Sequence, residues 1–156
     1  MTTTIETPSA LRRLALLAGL LAASGAMAQA TPAGLWKSVD DNTHKERSLV
    51  RISDSGGVYS GRIEKLLDPA TPQDKLCDKC SDDRKDKPVL GMEVIRGARK
   101  SADTELQWDG GTILDPSSGK SYKLRMTLSD DGRQLQVRGY IGTPVLGRSQ
   151  VWARVE

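Results

Sequence analysis

Cys77 and Cys80 are the two cysteines of this 156-residue chain, and their Cys-x-x-Cys spacing admits three chemistries. In an oxidising compartment the default is a disulfide, worth roughly 2 kcal/mol for so small a ring. A redox centre needs the pair at the start of a helix that follows a strand, where the first thiol's pKa falls. Here a proline-containing loop precedes the pair and Ser81-Asp82-Asp83-Arg84 follows it, and those carboxylates push a thiol the other way. Zinc needs two more soft or imidazole ligands. His44 is the only histidine, so a metal centre would have to recruit aspartates, and no metal or cofactor is assigned.

Catalytic constellations are equally hard to assemble. His44 lies in Asp40-Asp41-Asn42-Thr43-His44-Lys45, a polar hairpin tip by composition, where a solvated imidazole is expected rather than a Ser–His–Asp base. Carboxylates cluster in turns (Asp40-Asp41, Asp82-Asp83, Asp130-Asp131), not in the shielded pairs that acid–base chemistry uses. Gly119-Lys120-Ser121 has the ending of a phosphate-binding loop, but Leu114 stands where that motif requires glycine. It also sits between two strand patterns, so no helix N-terminus faces a phosphate. No residue is assigned a catalytic role.

The elements that would position these groups are strands. From Ser121 to Leu128 apolar Tyr122, Leu124, Met126 and Leu128 alternate with polar residues; Leu135, Val137 and Ile141 repeat the pattern in the next segment. A period of two marks half-buried strands. Gly, Asp and Pro clusters punctuate the chain, including Asp54-Ser55-Gly56-Gly57, Asp109-Gly110-Gly111 and Ser129-Asp130-Asp131-Gly132. Strands are expected near Leu35–Val39, Ser48–Ile52, Val58–Leu66, Met92–Ala98, Glu105–Trp108 with Thr112–Leu114, Tyr122–Leu128, Leu135–Ile141 and Gln150–Val155. About eight short antiparallel strands joined by hairpins imply an all-β fold, an up-and-down barrel or a curved meander. The stretch from Asp68 to Pro88 interrupts this rhythm with 21 residues, three prolines and both cysteines. A loop of that length is functional or locally tied down.

Gly34-Leu35-Trp36 opens the first strand and Trp152-Ala153-Arg154 ends the last. In a closed barrel those strands are neighbours, so an indole and the Arg154 guanidinium can stack across the seam while the guanidinium bonds carbonyls. The other role for Trp36 or Trp152 is to line a cavity. Arg138 and Tyr140, on the penultimate strand, are the candidate ligand contacts.

The first 28 residues read as a signal peptide. Arg12 and Arg13 precede the apolar run Leu14 to Ala23, and Ala26-Met27-Ala28 supplies the small residues of a cleavage site. Ten apolar residues fall short of the ~20 that cross a bilayer. No stable membrane anchor is expected, and no cysteine follows the cleavage site to take a lipid. Residues 29–156 then form a single domain, exported to the periplasm or secreted from a bacterium. Removing Arg12, Arg13 and Glu6 leaves 21 basic against 19 acidic residues from the original 23 and 20. That balance, with no basic block, argues against nucleic acid as a partner.

Taken together, these residues carry a resemblance. Gly34-x-Trp36 with a terminal Arg154 is similar to the calycin pattern of lipocalin-like barrels. A fuller match is to the domain of unknown function 2147 family of exported bacterial proteins. It runs through Gly34-Leu35-Trp36-Lys37, Cys77-Asp78-Lys79-Cys80, Lys87-Pro88-Val89-Leu90-Gly91 and Gly110-Gly111-Thr112-Ile113-Leu114-Asp115-Pro116. It continues through Gly119-Lys120-Ser121-Tyr122, Arg138-Gly139-Tyr140-Ile141-Gly142 and Leu146 to Arg154. The resemblance implies a small barrel-like envelope protein and brings no established activity or catalytic residue with it. Two functional readings follow. In one the barrel holds a small, partly apolar ligand or an envelope component. In the other the barrel is packed, and the Cys-tied loop is the contact surface of a non-enzymatic envelope interaction or maintenance protein.

Overall fold

A computed structural model describes residues 1–2 and 30–156. The leader expected over residues 1–28 lies outside the described residues, its first two apart. The eight strands are β1 (Gly34–Val39), β2 (Glu46–Ser55), β3 (Val58–Leu66), β4 (Glu93–Lys100), β5 (Gln107–Asp115), β6 (Lys120–Leu128), β7 (Gln134–Tyr140) and β8 (Gly147–Arg154). Each pairs antiparallel with the next, and β8 returns to β1, so the sheet closes on itself as an up-and-down barrel.

Two expectations need correction. Asp109-Gly110-Gly111 is not a hairpin turn. β5 runs straight through it, and the ladder to β6 shifts register between Asp109 and Thr112. Gly110 adopts a φ of 76° there, so the extra backbone is absorbed as a bulge inside a strand instead of a reversal. Ile141 does not continue the inward face of β7. That strand ends at Tyr140, its inner positions are taken by Leu135, Val137 and Gly139, and Ile141 projects into solvent.

The connections sort onto two ends. The short β2–β3, β4–β5 and β6–β7 links, with the segment before β1 and the chain's last residues, occupy one end. The β1–β2, β3–β4, β5–β6 and β7–β8 connections occupy the other. The first end is filled. Tyr59 and Trp108 meet edge to face, ring centroids 5.9 Å apart, and are buried with Trp36, Met126 and Leu135.

The long β3–β4 connection is not a free loop. Cys77 and Cys80 form a disulfide, and both are buried in the same apolar cluster as the barrel core. Leu76 makes a β-bridge to Pro88, Cys77 N–H donates to the Lys87 carbonyl, and Val89 N–H donates to the Lys75 carbonyl. Arg84, buried, donates to Asp82, to the Glu93 carbonyl and to Ser121 Oγ, which ties the loop to β4 and β6. The β5–β6 turn lies so close to the disulfide ring that a Cβ on Gly119 would sit 2.0 Å from the Lys79 carbonyl oxygen. With φ at 71° as well, that position takes only glycine without displacing backbone.

Candidate functional site

Inward side chains shrink toward the second end. Ser38, Ser48, Val50, Val137 and Gly139 hold inward positions there beside larger residues such as Leu114 and Trp152, and a cavity of about 670 Å³ remains. That volume is typical of small-molecule sites, and its lining mixes apolar and polar surface in nearly equal measure. Val50, Ile63, Val94, Val137 and the Trp152 indole supply the apolar wall. Trp152 Nε1 donates to Gln150 Oε1 at 3.0 Å, which fixes the indole against the lumen. Ser38 and Ser48 satisfy each other, Oγ to Oγ at 2.8 Å, so these inward hydroxyls carry no desolvation penalty.

Charges gather at the mouth, where both arginines are paired. Arg47 reaches Asp40 at 3.0 Å and donates its other Nη to Ser117 Oγ, linking β2 to the β5–β6 turn. The Thr43 backbone N–H, then its hydroxyl and Arg47, hold the Asp40 carboxyl down to a pKa of about 2. Arg148 meets both carboxylate oxygens of Asp41 at 3.0 Å. That pair spans the barrel's weakest seam. β1 and β8 are in register only at Trp36–Arg154 and Lys37–Ala153, near the filled end, and beyond them no ladder joins the two strands.

The filled end has a different chemistry. Trp36 is wholly buried, and its Nε1 donates to the Pro32 carbonyl at 2.8 Å. The Arg154 guanidinium lies over its ring, 4.3 Å from the centroid. Its nitrogens donate to the carbonyls of Gly132, Ala33 and Thr31. Burial pulls the Arg154 pKa below the ordinary arginine value, yet three acceptors and a π-face surround the charge. Gly34 is required beside it, since a Cβ there would sit 2.6 Å from the guanidinium and 2.5 Å from the Glu156 carbonyl oxygen.

Residues 34–154 match the profile of a family described as "Uncharacterized protein conserved in bacteria (DUF2147)". The chain belongs to this family. No curated protein matches it. Among solved structures, protein HP1028 from the human pathogen Helicobacter pylori, titled as belonging to the lipocalin family, is similar with a TM-score of 0.67 and 16% identity. The likeness covers 80% of this chain and 82% of that one, and at such identity it establishes a lipocalin-like fold and nothing more.

In this DUF2147 barrel the residues singled out from sequence separate into distinct places. Trp36 and Arg154 plug the filled end and do not touch the cavity, whereas Trp152 lines it. Tyr140 stands at the rim. Arg138 does not line the cavity. Its guanidinium sits beside the β7–β8 loop and donates to the Pro144 and Val145 carbonyls and to Ser149 Oγ. Cys77 and Cys80 back the cavity's flank through their loop instead of facing it. The apolar wall positions Val50, Ile63 and Val94 carry no sequence signal that separates cavity wall from packed core. The Asp41–Arg148 clasp had no local signal, because its partners are 107 residues apart.

Proposed function

We propose that this DUF2147 protein is an exported binding protein that holds a small, partly apolar ligand in the hollow half of its barrel. The observation that supports it best is the contrast inside one lumen, with large aromatics filling one end and Ser, Val and Gly leaving about 670 Å³ at the other. Filling an interior gains about 25 cal/mol per Å² of apolar surface buried, so the space left at one end forgoes stability that a fully packed barrel would have. Export is supported by the Arg12-Arg13, Leu14–Ala23 and Ala26-Met27-Ala28 pattern together with a disulfide, which persists in oxidising compartments. The β3–β4 connection turns both cysteines and Val89 into the core and leaves Leu76 and Leu90 exposed, which keeps a contact role for it as the second reading.

Two measurements test the reading. Native mass spectrometry of protein purified from the envelope fraction should show a bound small molecule, and the chain mass should begin at Gln29. A naphthalene-type environment-sensitive dye should bind with one site and take energy from Trp152 on the cavity wall. Bare protein with no dye binding would remove the ligand hypothesis. A full-length chain retained in the cytoplasm would remove export.

A further inference from the structure

We propose that the β7–β8 loop is a lipid-docking lip that sets the cavity mouth against a bilayer, so that an amphiphile with an apolar chain passes from membrane to lumen. The inference deepens the reading of the cavity as a ligand site and rests on it. Three large apolar side chains crown this loop, Ile141, Val145 and Leu146, with 68%, 84% and 72% of their surfaces exposed. All three also line the cavity's rim.

Nothing about the loop is slack enough to explain them as residues that failed to find the core. Arg138 pins the Pro144 and Val145 carbonyls, Leu146 N–H donates to the Thr143 carbonyl, and Ile141 N–H donates to the Leu146 carbonyl. The backbone is thus held in a shape that keeps the side chains in water. Contiguous exposed apolar groups of this kind mark a surface that meets something.

The surroundings favour a lipid surface as that something. The three side chains lie on the rim of the cavity, so a lipid surface that covers them meets the cavity mouth at the same time. The rim's guanidiniums are paired, Arg148 with Asp41 and Arg47 with Asp40, and Asp68 and Asp115 outnumber the remaining cation, Lys75, so attachment relies on apolar insertion rather than on anionic headgroups. Because the lip and the rim are the same residues, immersion opens the cavity to the hydrocarbon without exposing a transferring chain to water. A single-chain amphiphile suits the arrangement, its tail against Val50, Val137 and Trp152 and its head at the paired charges of the mouth.

Flotation with phosphatidylcholine vesicles, with and without phosphatidylglycerol, tests this directly. The purified protein should float with both vesicle types and stay bound at high salt. Replacing Ile141, Val145 and Leu146 together by serine should weaken partitioning roughly tenfold or more while the circular dichroism and unfolding midpoint stay put. Leu146→Ser alone should give an intermediate loss. A Val137→Trp protein, with its cavity filled, should still float but leave the vesicles without bound lipid by mass spectrometry. Flotation without lipid uptake by the unsubstituted protein would support the lip while removing the ligand reading. Absence of flotation, flotation indifferent to the triple substitution, or a dimer that the triple substitution dissolves would each overturn the lip.

Discussion

The two ends of the barrel are made from the same eight alternating strands, yet one is solid and the other hollow. At the solid end Trp36, Tyr59, Trp108, Met126 and Leu135 meet across the lumen. At the hollow end the inward positions of the same strands hold Ser38 on β1, Val137 and Gly139 on β7, and Gln150 on β8. An eight-stranded barrel is just wide enough for its own side chains to fill, so the size of each inward residue decides whether space remains. The ends also differ in how they are closed. Arg154 seals the solid end from within, bonded to carbonyls and stacked on an indole. The hollow end is bounded by surface ion pairs such as Arg148–Asp41, which are individually weak. Stability is concentrated at one end and access at the other.

The sharpest way to break that comparison is Trp36→Ala. It deletes the buried ring under Arg154 and leaves a charged group without its platform, and truncations of this kind cost about 3–5 kcal/mol. Denaturant titration should register a loss of that size. The fraction that remains folded should bind dye with unaltered affinity, because Trp36 does not touch the cavity. A small stability loss, or a large loss of affinity at constant folding, would show that the two ends are not separable.

The next largest effect is expected from Cys77→Ser with Cys80→Ser, about 2 kcal/mol on the loop-entropy scale. The disulfide ring abuts the β5–β6 turn at Gly119, and that turn borders the mouth through Pro116 and Ser117. Stability should therefore fall together with dye affinity, unlike in Trp36→Ala. Equal denaturation midpoints for the oxidised and substituted proteins would mean that the ring constrains nothing.

Val137→Trp separates the ends in the opposite sense. Overpacking a dense core costs about 1–3 kcal/mol, but here the indole enters empty space, so stability should change by less than about 1 kcal/mol while dye binding is lost. A strong destabilisation would show that the hollow end is already packed.

The contrast between the ends was only partly legible in the sequence. Alternation from Ser121 to Leu128 revealed strands because a period of two survives any tertiary context, and eight such segments implied closure or curvature. Gly34-x-Trp36 and Trp152-x-Arg154 pointed to a seam because their residue types are rare partners. A period of two does not say how far a strand continues, which is why Ile141 reads as a third inward residue and is instead the exposed first residue of a loop. Asp109-Gly110-Gly111 has a hairpin's composition, and only pairing on both sides of β5 reveals a bulge. Nor does alternation report depth along the barrel axis. Ser38 and Trp36 share a face of β1, and only the three-dimensional stacking of rows shows that one borders a cavity and the other a plug.

The smallest expected effect concerns acid. Asp40 is held at a pKa of about 2, first by the Thr43 backbone N–H and then by the Thr43 hydroxyl and Arg47, below the ordinary carboxylate value near 4. A carboxyl depressed in the folded state contributes stability that is present in full above its ordinary value and is lost as pH falls toward 2. Asp68, on the same rim, is lowered in the same direction by the Ala70 N–H. Arg154, the charged group of the solid end, remains protonated throughout the acid range, so acid should loosen the mouth before it loosens the plug. Dye affinity should accordingly decline between about pH 4 and pH 2 while the near-ultraviolet circular dichroism of the tryptophans persists. In Asp40→Asn the acid-dependent part of that decline should shrink, and affinity at neutral pH should already be slightly reduced. An unchanged acid profile in Asp40→Asn would assign the loss to carboxylates elsewhere, Asp82 being the next candidate because its Arg84 pairing also holds it at about 2. In that case the acid-sensitive region would be the disulfide-tied loop rather than the mouth.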